Sequence, residues 1–268
     1  MKILITGGCG GVGLKLRKEL GSRFERVRIF DRVADTLAPN EESIVGDVAD
    51  FDAVLKATQG MDAVIHLAAM PVEGSFQEIL QSNIVGTYNV YEAAFRQGAK
   101  RVIFGSSNHA VGFYPRSQKI DTTVAGRPDS RYGLSKCWGE DVGALYADKY
   151  GVKSMHIRIG NAFDYPGSVR ALAIWISARD LAQLVMIGLE HPEIHNTIVY
   201  GVSDNKACWY DNAAAYALGY KPQDHAEDQT DKALEGEKSV KQDAVAEYYQ
   251  GGPFCSIEYA GAPVPAKG

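Results

Sequence analysis

The stretch Lys2-Ile3-Leu4-Ile5-Thr6-Gly7-Gly8-Cys9-Gly10-Gly11-Val12-Gly13 decides the fold class of this chain. Its first five residues are a short apolar run, which predicts a buried strand, and glycines follow at once. A helical pattern runs from Leu14 to Leu20. A strand, a glycine-rich turn and a helix in this order begin an α/β unit.

The same alternation of strands and helices continues over the first two thirds of the chain. The sequence predicts further strands at 26–30, 43–45, 63–67, 101–104 and 153–159, and helices at 79–97 and 130–150. Alternation of this kind predicts a Rossmann-type, doubly wound parallel sheet that is covered by helices on both faces. In such sheets ligands bind beyond the carboxyl ends of the strands.

The pattern becomes irregular after Asn161. A helix is predicted at 175–190 and a strand at 198–200, and the stretch from Lys221 onward is polar. We therefore expect a dinucleotide-binding domain at 1–165. Residues 166–268 are expected to form a small C-terminal substrate-binding cap that is interwoven with the first domain.

The composition excludes several classes of protein. The 268 residues are 46% hydrophobic, and the net charge of −5 gives no broad attraction to nucleic acid or to an anionic membrane. No apolar run reaches the roughly 18 residues that a membrane span needs, and the N-terminus does not resemble a signal peptide. The four cysteines are scattered, which favours free thiols and a cytoplasmic location over disulfides or a zinc site.

The glycine-rich turn predicts a dinucleotide site. Gly8, Gly10 and Gly13 satisfy G-x-G-x-x-G, and Gly7, Gly10 and Gly13 satisfy G-x-x-G-x-x-G. Glycines here allow a tight turn and a close backbone approach to a pyrophosphate, which the helix N-terminus then binds. Asp31 follows 18 residues beyond Gly13 at the end of the second strand, as the dinucleotide fingerprint requires.

Asp31 also favours NAD as the cofactor. Its carboxylate would accept hydrogen bonds from the adenosine ribose and repel a 2′-phosphate, although the neighbouring Arg32 could pair with that phosphate. The residues that follow the third and fourth strands are also expected to lie next to the cofactor, and small ones such as Ala68 and Ala69 leave space for it. The predicted cofactor-binding residues from these patterns are Gly7, Gly10, Gly11, Val12, Gly13, Asp31, Arg32, Asp47, Val48, Leu67, Ala68 and Ala69.

A second pattern carries the chemistry. Tyr132 and Lys136 form a Y-x-x-x-K motif at the start of a predicted helix, and their spacing puts both side chains on one face. A nearby ammonium favours the phenolate and would bring the pKa of the tyrosine down from about 10. Ser107 directly follows the fifth strand and could orient a reacting oxygen. Together the three residues predict a site for hydride transfer.

These motifs jointly resemble the extended short-chain dehydrogenase/reductase family. The resemblance covers roughly the first 165 residues and includes the glycine turn, Asp31, Asn83-Ile84-Val85-Gly86-Thr87-Tyr88-Asn89, Ser107, Tyr132 and Lys136. It implies that Tyr132 is the acid/base catalyst, that Lys136 tunes it and holds the nicotinamide ribose, and that Ser107 positions the substrate. It also implies that Asn83 and Ala162 contact the cofactor and that the protein is a homo-oligomer.

A narrower resemblance runs over nearly the whole chain. The stretches at 106–115, 127–129, 132–140, 157–160, 209–212 and 251–252 are similar to those of bacterial uronate dehydrogenases. This resemblance implies NAD-dependent oxidation of glucuronate or galacturonate to an aldarolactone. The implied substrate-binding residues are Ser107, Asn108, His109, Tyr132, Asn161 and Arg170, with Arg170 on the substrate carboxylate.

Two departures from that family affect the expected substrate range. Asn161-Ala162 stands where family members carry Ser-Cys, and Pro71 stands near the place of a substrate-contacting serine. Two alternatives also stay open. One is a sugar-nucleotide epimerase or dehydratase of the same family, and the other is a non-catalytic NAD-sensing binder. The histidines His191 and His195 are interpreted as exposed loop residues, and no metal site is expected.

Overall fold

The computed structural model describes residues 1–265 and contains one parallel sheet. Its seven strands follow the order β3-β2-β1-β4-β5-β6-β7. Their bounds are β1 Lys2–Thr6, β2 Arg26–Asp31, β3 Glu41–Val45, β4 Ala63–His66, β5 Arg101–Ser107, β6 Lys153–Ile159 and β7 Asn196–Gly201. The order reverses between β1 and β4, so the carboxyl ends of these strands border a crevice. The predicted fold class is confirmed.

Helices connect the strands and cover both faces of the sheet. Those before β6 are α1 Gly11–Leu20, α2 Phe51–Thr58, α3 Phe76–Ile79, α4 Gly86–Gln97 and α5 Arg131–Tyr150. Those after β6 are α6 Val169–Ile174, α7 Ala178–Glu190, α8 Ala213–Ala217, α9 Thr230–Glu237, α10 Ala244–Tyr248 and α11 Pro253–Ser256. No helix within residues 1–265 is both long enough and apolar enough to span a bilayer.

Alternate residues along each strand feed two separate cores, because successive side chains of a strand point to opposite faces. Ile3 and Ile5 pack with α1 and α7 on one face. Leu4, between them, packs with α2, α4 and α5 on the other. Both faces are therefore dry, as the continuous apolar strands predict.

Three helix predictions need correction. The helix predicted at 79–97 is interrupted by a π-helical turn, Leu80–Val85, between α3 and α4. The helix predicted at 175–190 begins later, because Ser177 caps α7 by accepting from the amide of Asp180. The sequence prediction also missed α2, which Asp50 caps by accepting from the amide of Ala53. Polar caps decide all of these boundaries except the π-helical turn.

The predicted C-terminal region contributes to the same sheet as the first domain. Strand β7 pairs with β6 through six residues, from Asn196 opposite Ser154 to Gly201 opposite Ile159. Helix α7 packs into the core of that sheet. Part of the chain beyond 165 is thus scaffold of the same sheet.

Candidate active site

The turn between β1 and α1 is built from glycines because its backbone touches neighbouring main chain. Gly7 has a φ of +72°, and a Cβ there would lie 2.6 Å from the amide nitrogen of Ala68. A Cβ at Gly13 would overlap the carbonyl of Gly7. At Gly11, by contrast, a Cβ would meet no atom within 4 Å. The turn therefore packs closely against β4 and stays open at the first residue of α1.

A groove of about 330 Å³ runs along the carboxyl ends of the strands β1 to β4. The predicted residues that line it are Gly7, Gly10, Gly11, Val12, Gly13, Asp31, Arg32, Asp47, Val48, Leu67, Ala68 and Ala69. Cys9, Phe30, Val33, Gly46 and Ser82 also line the groove and were not predicted, and so does Pro71. The pattern of strand ends thus identified most of this surface.

Asp31 is held at the edge of the groove by main-chain amides. Its Oδ2 accepts from the amide of Cys9 at 2.9 Å, and its Oδ1 accepts from the amide of Arg32 at 2.7 Å. These bonds tie the end of β2 to the glycine turn. The Arg32 side chain is exposed at the same edge.

Four predicted cofactor residues do not line this groove: Tyr132 and Lys136, which are described below, and Asn83 and Ala162. The side-chain amide of Asn83 is engaged by the main chain of Met70, at 2.7 and 3.1 Å, and by the hydroxyl of Ser135 at 2.9 Å. It fastens the loop after β4 rather than lining the groove. The carbonyl of Ala162 accepts from Lys15 at 2.7 Å. Neither residue is among those that border the groove.

Ser107, Tyr132 and Lys136 meet where the end of β5 faces the start of α5. Ser107 is the last residue of β5, and its hydroxyl lies near enough to the phenol of Tyr132 to lower the pKa of that phenol. Lys136 donates to the carbonyl of Gly105 at 2.8 Å, and its Nζ lies 5.4 Å from the centre of the Tyr132 ring. Ser130 caps α5 by accepting from the amide of Gly133. The three predicted catalytic residues are brought together.

The pKa of Tyr132 differs from the sequence expectation. Burial raises the pKa of Tyr132 to about 12, against a smaller lowering by the nearby Ser107 hydroxyl. Burial also lowers the pKa of Lys136 to about 8, while the Glu140 carboxylate opposes that shift. The Y-x-x-x-K spacing predicted a lowered tyrosine pKa. Desolvation decides the direction of the shift in this structure because the phenol is enclosed.

Most of the predicted substrate residues lie next to this catalytic group. The side-chain amide of Asn108 is oriented so that its nitrogen donates to the carbonyl of Ile159 at 3.2 Å. Its side-chain oxygen then accepts from Nη2 of Arg170 at 3.2 Å. Arg170 also donates Nε and Nη2 to the carbonyl of Gln250, at 2.9 and 2.7 Å. Burial lowers the pKa of Arg170. Within residues 1–265, no carboxylate lies in ion-pair distance of this guanidinium.

The remaining predicted substrate residues have different surroundings. The main chain of Asn161 donates to Ile174 at the end of α6 and accepts from Ile176, which follows that helix. Its Oδ1 is buried without a hydrogen-bond partner. His109 is a neighbour of Tyr132, with ring centres 5.8 Å apart. Its Nδ1 lies 2.7 Å from Oδ2 of Asp129, and its ring stacks on Phe254 at 3.9 Å.

The comparison with known families identifies the class of this protein. Residues 3–170 match the NAD-dependent epimerase/dehydratase family, and this range includes the glycine turn and the whole catalytic group. The chain belongs to this family. Its glycine turn, strand order and Y-x-x-x-K helix are the family's framework in this structure.

Several relatives within the family cover almost the entire chain. Uronate dehydrogenase of Pseudomonas putida is 45% identical over 255 residues, which is 94% of this chain and 95% of that protein. The crystal structure of glucuronic acid dehydrogenase from Chromohalobacter salexigens is 41% identical with a TM-score of 0.91, covering 95% and 96% of the two chains. A mutant uronate dehydrogenase from Agrobacterium tumefaciens complexed with NAD is 37% identical with a TM-score of 0.91, covering 95% and 97%.

Residues 249–254, which we call the C-terminal segment, lie beyond the range that matches the family. The segment nevertheless contacts two of the predicted substrate residues, Arg170 and His109. Its Gln250 carbonyl holds Arg170, and the Gln250 side chain donates to the carbonyls of Pro115 and Gln118 at 3.0 and 2.8 Å. Gly252 has a φ of +66°, and a Cβ there would lie 2.6 Å from Cδ of Arg170. The segment therefore fixes the position of the guanidinium.

Several of these residues were missed by sequence reasoning. Asp129 and the Gly251-Gly252 pair were noted only as points of resemblance, and Gln250 and Phe254 not at all. Glu73 was also missed, although it accepts from the amide of Tyr132 at 3.0 Å and from Arg131 at 2.8 Å. A lone carboxylate before a predicted helix was the available signal for Asp129. No local pattern marks the others, because their partners are remote in the sequence.

Proposed function

We propose that the protein is an NAD-dependent uronate dehydrogenase that oxidises C1 of a cyclic aldohexuronate to the aldarolactone. The observation that carries this proposal is Arg170. Its guanidinium has no carboxylate partner among the described residues. It donates to Asn108, which directly follows Ser107 in the chain. A substrate carboxylate supplies the missing partner, because a guanidinium's paired donors match its two oxygens.

The residues of the groove fit NAD. The amides of Gly11 and Val12 lie at the start of α1, where a helix N-terminus favours a pyrophosphate. The absence of any atom near a Cβ at Gly11 leaves that approach open. Asp31 would accept from the adenosine ribose hydroxyls, and Lys136 would hold the nicotinamide ribose. When bound, NAD accepts the hydride that leaves C1.

The chain's own residues would handle the proton. Ser107 and Tyr132 would both hydrogen-bond the C1 hydroxyl, which orients it and fixes the reacting carbon. As the C–H bond breaks with its electron pair, the O–H proton passes to Tyr132 and C1 forms a double bond to its oxygen. The raised pKa of Tyr132, about 12, makes its phenolate a strong base once it forms. The Lys136 ammonium beside it would favour that phenolate.

Selectivity would come from the far end of the sugar. A neutral hexose would leave the Arg170 guanidinium desolvated without a partner, and an unpaired buried charge is costly. Arg170 already donates hydrogen bonds to Asn108 and to the carbonyl of Gln250. Because these bonds hold the guanidinium in place, its remaining N–H donors point in a fixed direction. We therefore also propose that residues 166–268 supply the substrate-binding cap, through Arg170 and the C-terminal segment.

An NADH-formation assay tests the proposal directly. Glucuronate and galacturonate are compared with glucose, galactose and UDP-glucuronate, each with NAD and with NADP. We expect both uronates to be oxidised far faster than their neutral counterparts, and NAD to be preferred because of Asp31. An epimerase or dehydratase returns the hydride and forms no net NADH, so the products from the nucleotide sugar are also analysed by chromatography. Conversion of the nucleotide sugar alone would overturn the assignment in favour of an epimerase or dehydratase. Absence of conversion of every sugar would favour a non-catalytic binder.

We also propose that the protein is a homo-oligomer. Its helices α4 and α5 expose large apolar side chains, and exposed patches of this kind are typical of interfaces. These side chains are Tyr88, Phe95, Leu134, Trp138, Leu145 and Tyr150. Light scattering on the purified protein should give a mass above 29.1 kDa, and Trp138→Lys should lower it.

A cytoplasmic location is proposed on the cysteines. Cys9, Cys137, Cys208 and Cys255 are all free thiols, which is usual in a reducing compartment. Fractionation of cells that produce the protein, followed by immunodetection, tests this location.

A further inference from the structure

The carboxylate of Asp129 is enclosed by the chain beside the catalytic group. Its side chain is 0% exposed. Gly112 and Gly251 both pack against its Oδ2 so closely that a Cβ at either position would overlap the carboxylate. Its Oδ1 accepts from the hydroxyl of Ser130 at 2.7 Å. Two glycines from remote parts of the chain thus make room for one buried acid.

The buried acid has a single ion-pair partner. Among residues 1–265, the only basic side chain within 4.0 Å of the Asp129 carboxylate is His109, whose Nδ1 lies 2.7 Å from Oδ2. An ionised carboxylate can only accept hydrogen bonds. Nδ1 of His109 must therefore carry the hydrogen of this bond. Burying a charge is costly without a strong hydrogen bond, so the pair depends on this arrangement.

The rest of the imidazole is held in one orientation. Phe254 stacks on the ring at a centroid distance of 3.9 Å and an interplanar angle of 25°, and Tyr132 meets it edge-on at 67°. The amide of His109 donates to the hydroxyl of Ser107 at 3.2 Å. No group within residues 1–265 hydrogen-bonds Nε2, which lies on the ring edge away from Asp129.

We propose that Asp129 is a positioning residue for the reaction: it fixes His109 as the Nδ1–H tautomer, so that Nε2 presents a lone pair to a hydroxyl of the bound sugar. The proposal rests on the proposed function for the identity of that sugar. A neutral imidazole donates from one nitrogen and accepts at the other, and an acid that holds one nitrogen decides which. The sugar hydroxyl next to the reacting carbon can then donate to Nε2 while Ser107 and Tyr132 bind the C1 hydroxyl.

Nitrogen NMR on the native protein tests the tautomer without any substrate. The chain has six histidines, and the His109→Ala variant assigns the relevant signals. In the native protein we expect a protonated Nδ1 and an unprotonated Nε2 for His109. A protonated Nε2 in the native protein would overturn the proposal. This outcome is independent of turnover, so it separates the tautomer claim from the proposed function.

Kinetics test whether the tautomer matters for the sugar. In Asp129→Ala we expect the KM for the uronate to rise about 10-fold, the scale of one hydrogen bond to a polar group, with the KM for NAD unchanged. Asp129→Asn should recover part of the loss, since an amide oxygen can still accept from Nδ1. Asp141→Asn, an exposed acid on α5, is the matched control and should behave as the native enzyme.

A double-variant cycle separates positioning from a general structural role. In a His109→Ala background, Asp129→Ala should raise the KM for the uronate no further, because its effect passes through the imidazole. An undiminished second increase would show that Asp129 acts independently of His109 and would overturn the proposal. Should Asp129→Ala fail to fold, Asp129→Asn in the same cycle and the native NMR spectrum still decide between these outcomes.

Discussion

The two halves of the candidate active site are assembled in different ways. The cofactor half, meaning the groove along β1 to β4, is held by main chain close to the strands themselves. The amide of Gly7 donates to Phe30 at 2.9 Å, and that of Leu67 donates to Thr6 at 3.0 Å. The substrate half, meaning Asn108, His109, Arg170 and their partners, depends on contacts such as Arg170 with Gln250, 80 residues apart.

The sheet that holds the cofactor half can therefore stay the same while the loops of the substrate half change with the substrate. Glycines and strand ends fix the cofactor half through the parallel sheet itself, so it needs few side chains of special identity. The substrate half uses loops and the C-terminal segment, which can change without disturbing the sheet. Variants should therefore divide into those that weaken NAD binding and those that weaken uronate binding.

The largest effect is expected at Tyr132, where the two halves meet. Tyr132→Phe removes the oxygen that takes the proton, and kcat should fall about 10²–10⁴-fold. NAD binding, measured by calorimetry, should persist. Tyr216→Phe, an exposed tyrosine on α8, serves as the control and should keep native turnover. Near-normal kcat in Tyr132→Phe would exclude this residue as the base.

Arg170→Ala should break the substrate half while leaving the cofactor half intact. We expect kcat/KM for the uronates to fall about 10²-fold, because a charged partner in a desolvated site is lost. Neutral sugars should change little, so the preference for acids narrows. Arg179→Ala removes an exposed arginine that pairs with Asp224 and is the matched control. An unchanged preference in Arg170→Ala would mean that the carboxylate is bound elsewhere.

Gly7→Ala should break the cofactor half selectively. The φ of +72° strains any Cβ, and this one would also press on the Ala68 amide at 2.6 Å. We expect kcat/KM for NAD to fall about 10-fold or more and the free energy of unfolding to drop by about 2–3 kcal/mol. Gly60 has nearly the same φ, +75°, but a Cβ there would meet no neighbouring atom. Gly60→Ala therefore measures the cost of backbone strain without any steric contact. Equal effects of the two variants on NAD would contradict the packing argument.

The smallest effect is expected at Gly252, in the C-terminal segment. Gly252→Ala would place a Cβ against the Arg170 side chain and shift its guanidinium by part of an ångström. We expect the KM for the uronate to rise about 3–10-fold with the KM for NAD unchanged, the scale of a weakened hydrogen bond. Gly219→Ala, at a φ of +90° with no neighbours, controls for backbone strain. A rise in the KM for NAD would contradict this prediction and would show that the substrate half and the cofactor half are coupled.

The sequence predicted the elements of the sheet better than their connections. All seven strands lie where apolar runs indicate them, although β5 continues to Ser107 and therefore includes three residues beyond its predicted end at 104. The sequence predicted one continuous helix at 79–97, and the structure divides it. Asn83 lies in its π-helical turn, where the side chain reaches the main chain of Met70. Local sequence periodicity cannot predict a hydrogen bond of this kind, because its two partners are 13 residues apart.

The sequence by itself determined the parallel sheet, the glycine turn with Asp31, and the identity of Ser107, Tyr132 and Lys136. Short spacing and strand ends suffice for these, because the period of the apolar residues and the positive φ of Gly7 are local properties. Only the tertiary structure decided the pKa of Tyr132, the pairing of Asp129 with His109 and the support of Arg170 by Gln250. Burial and contacts between remote segments arise only when the chain closes on itself.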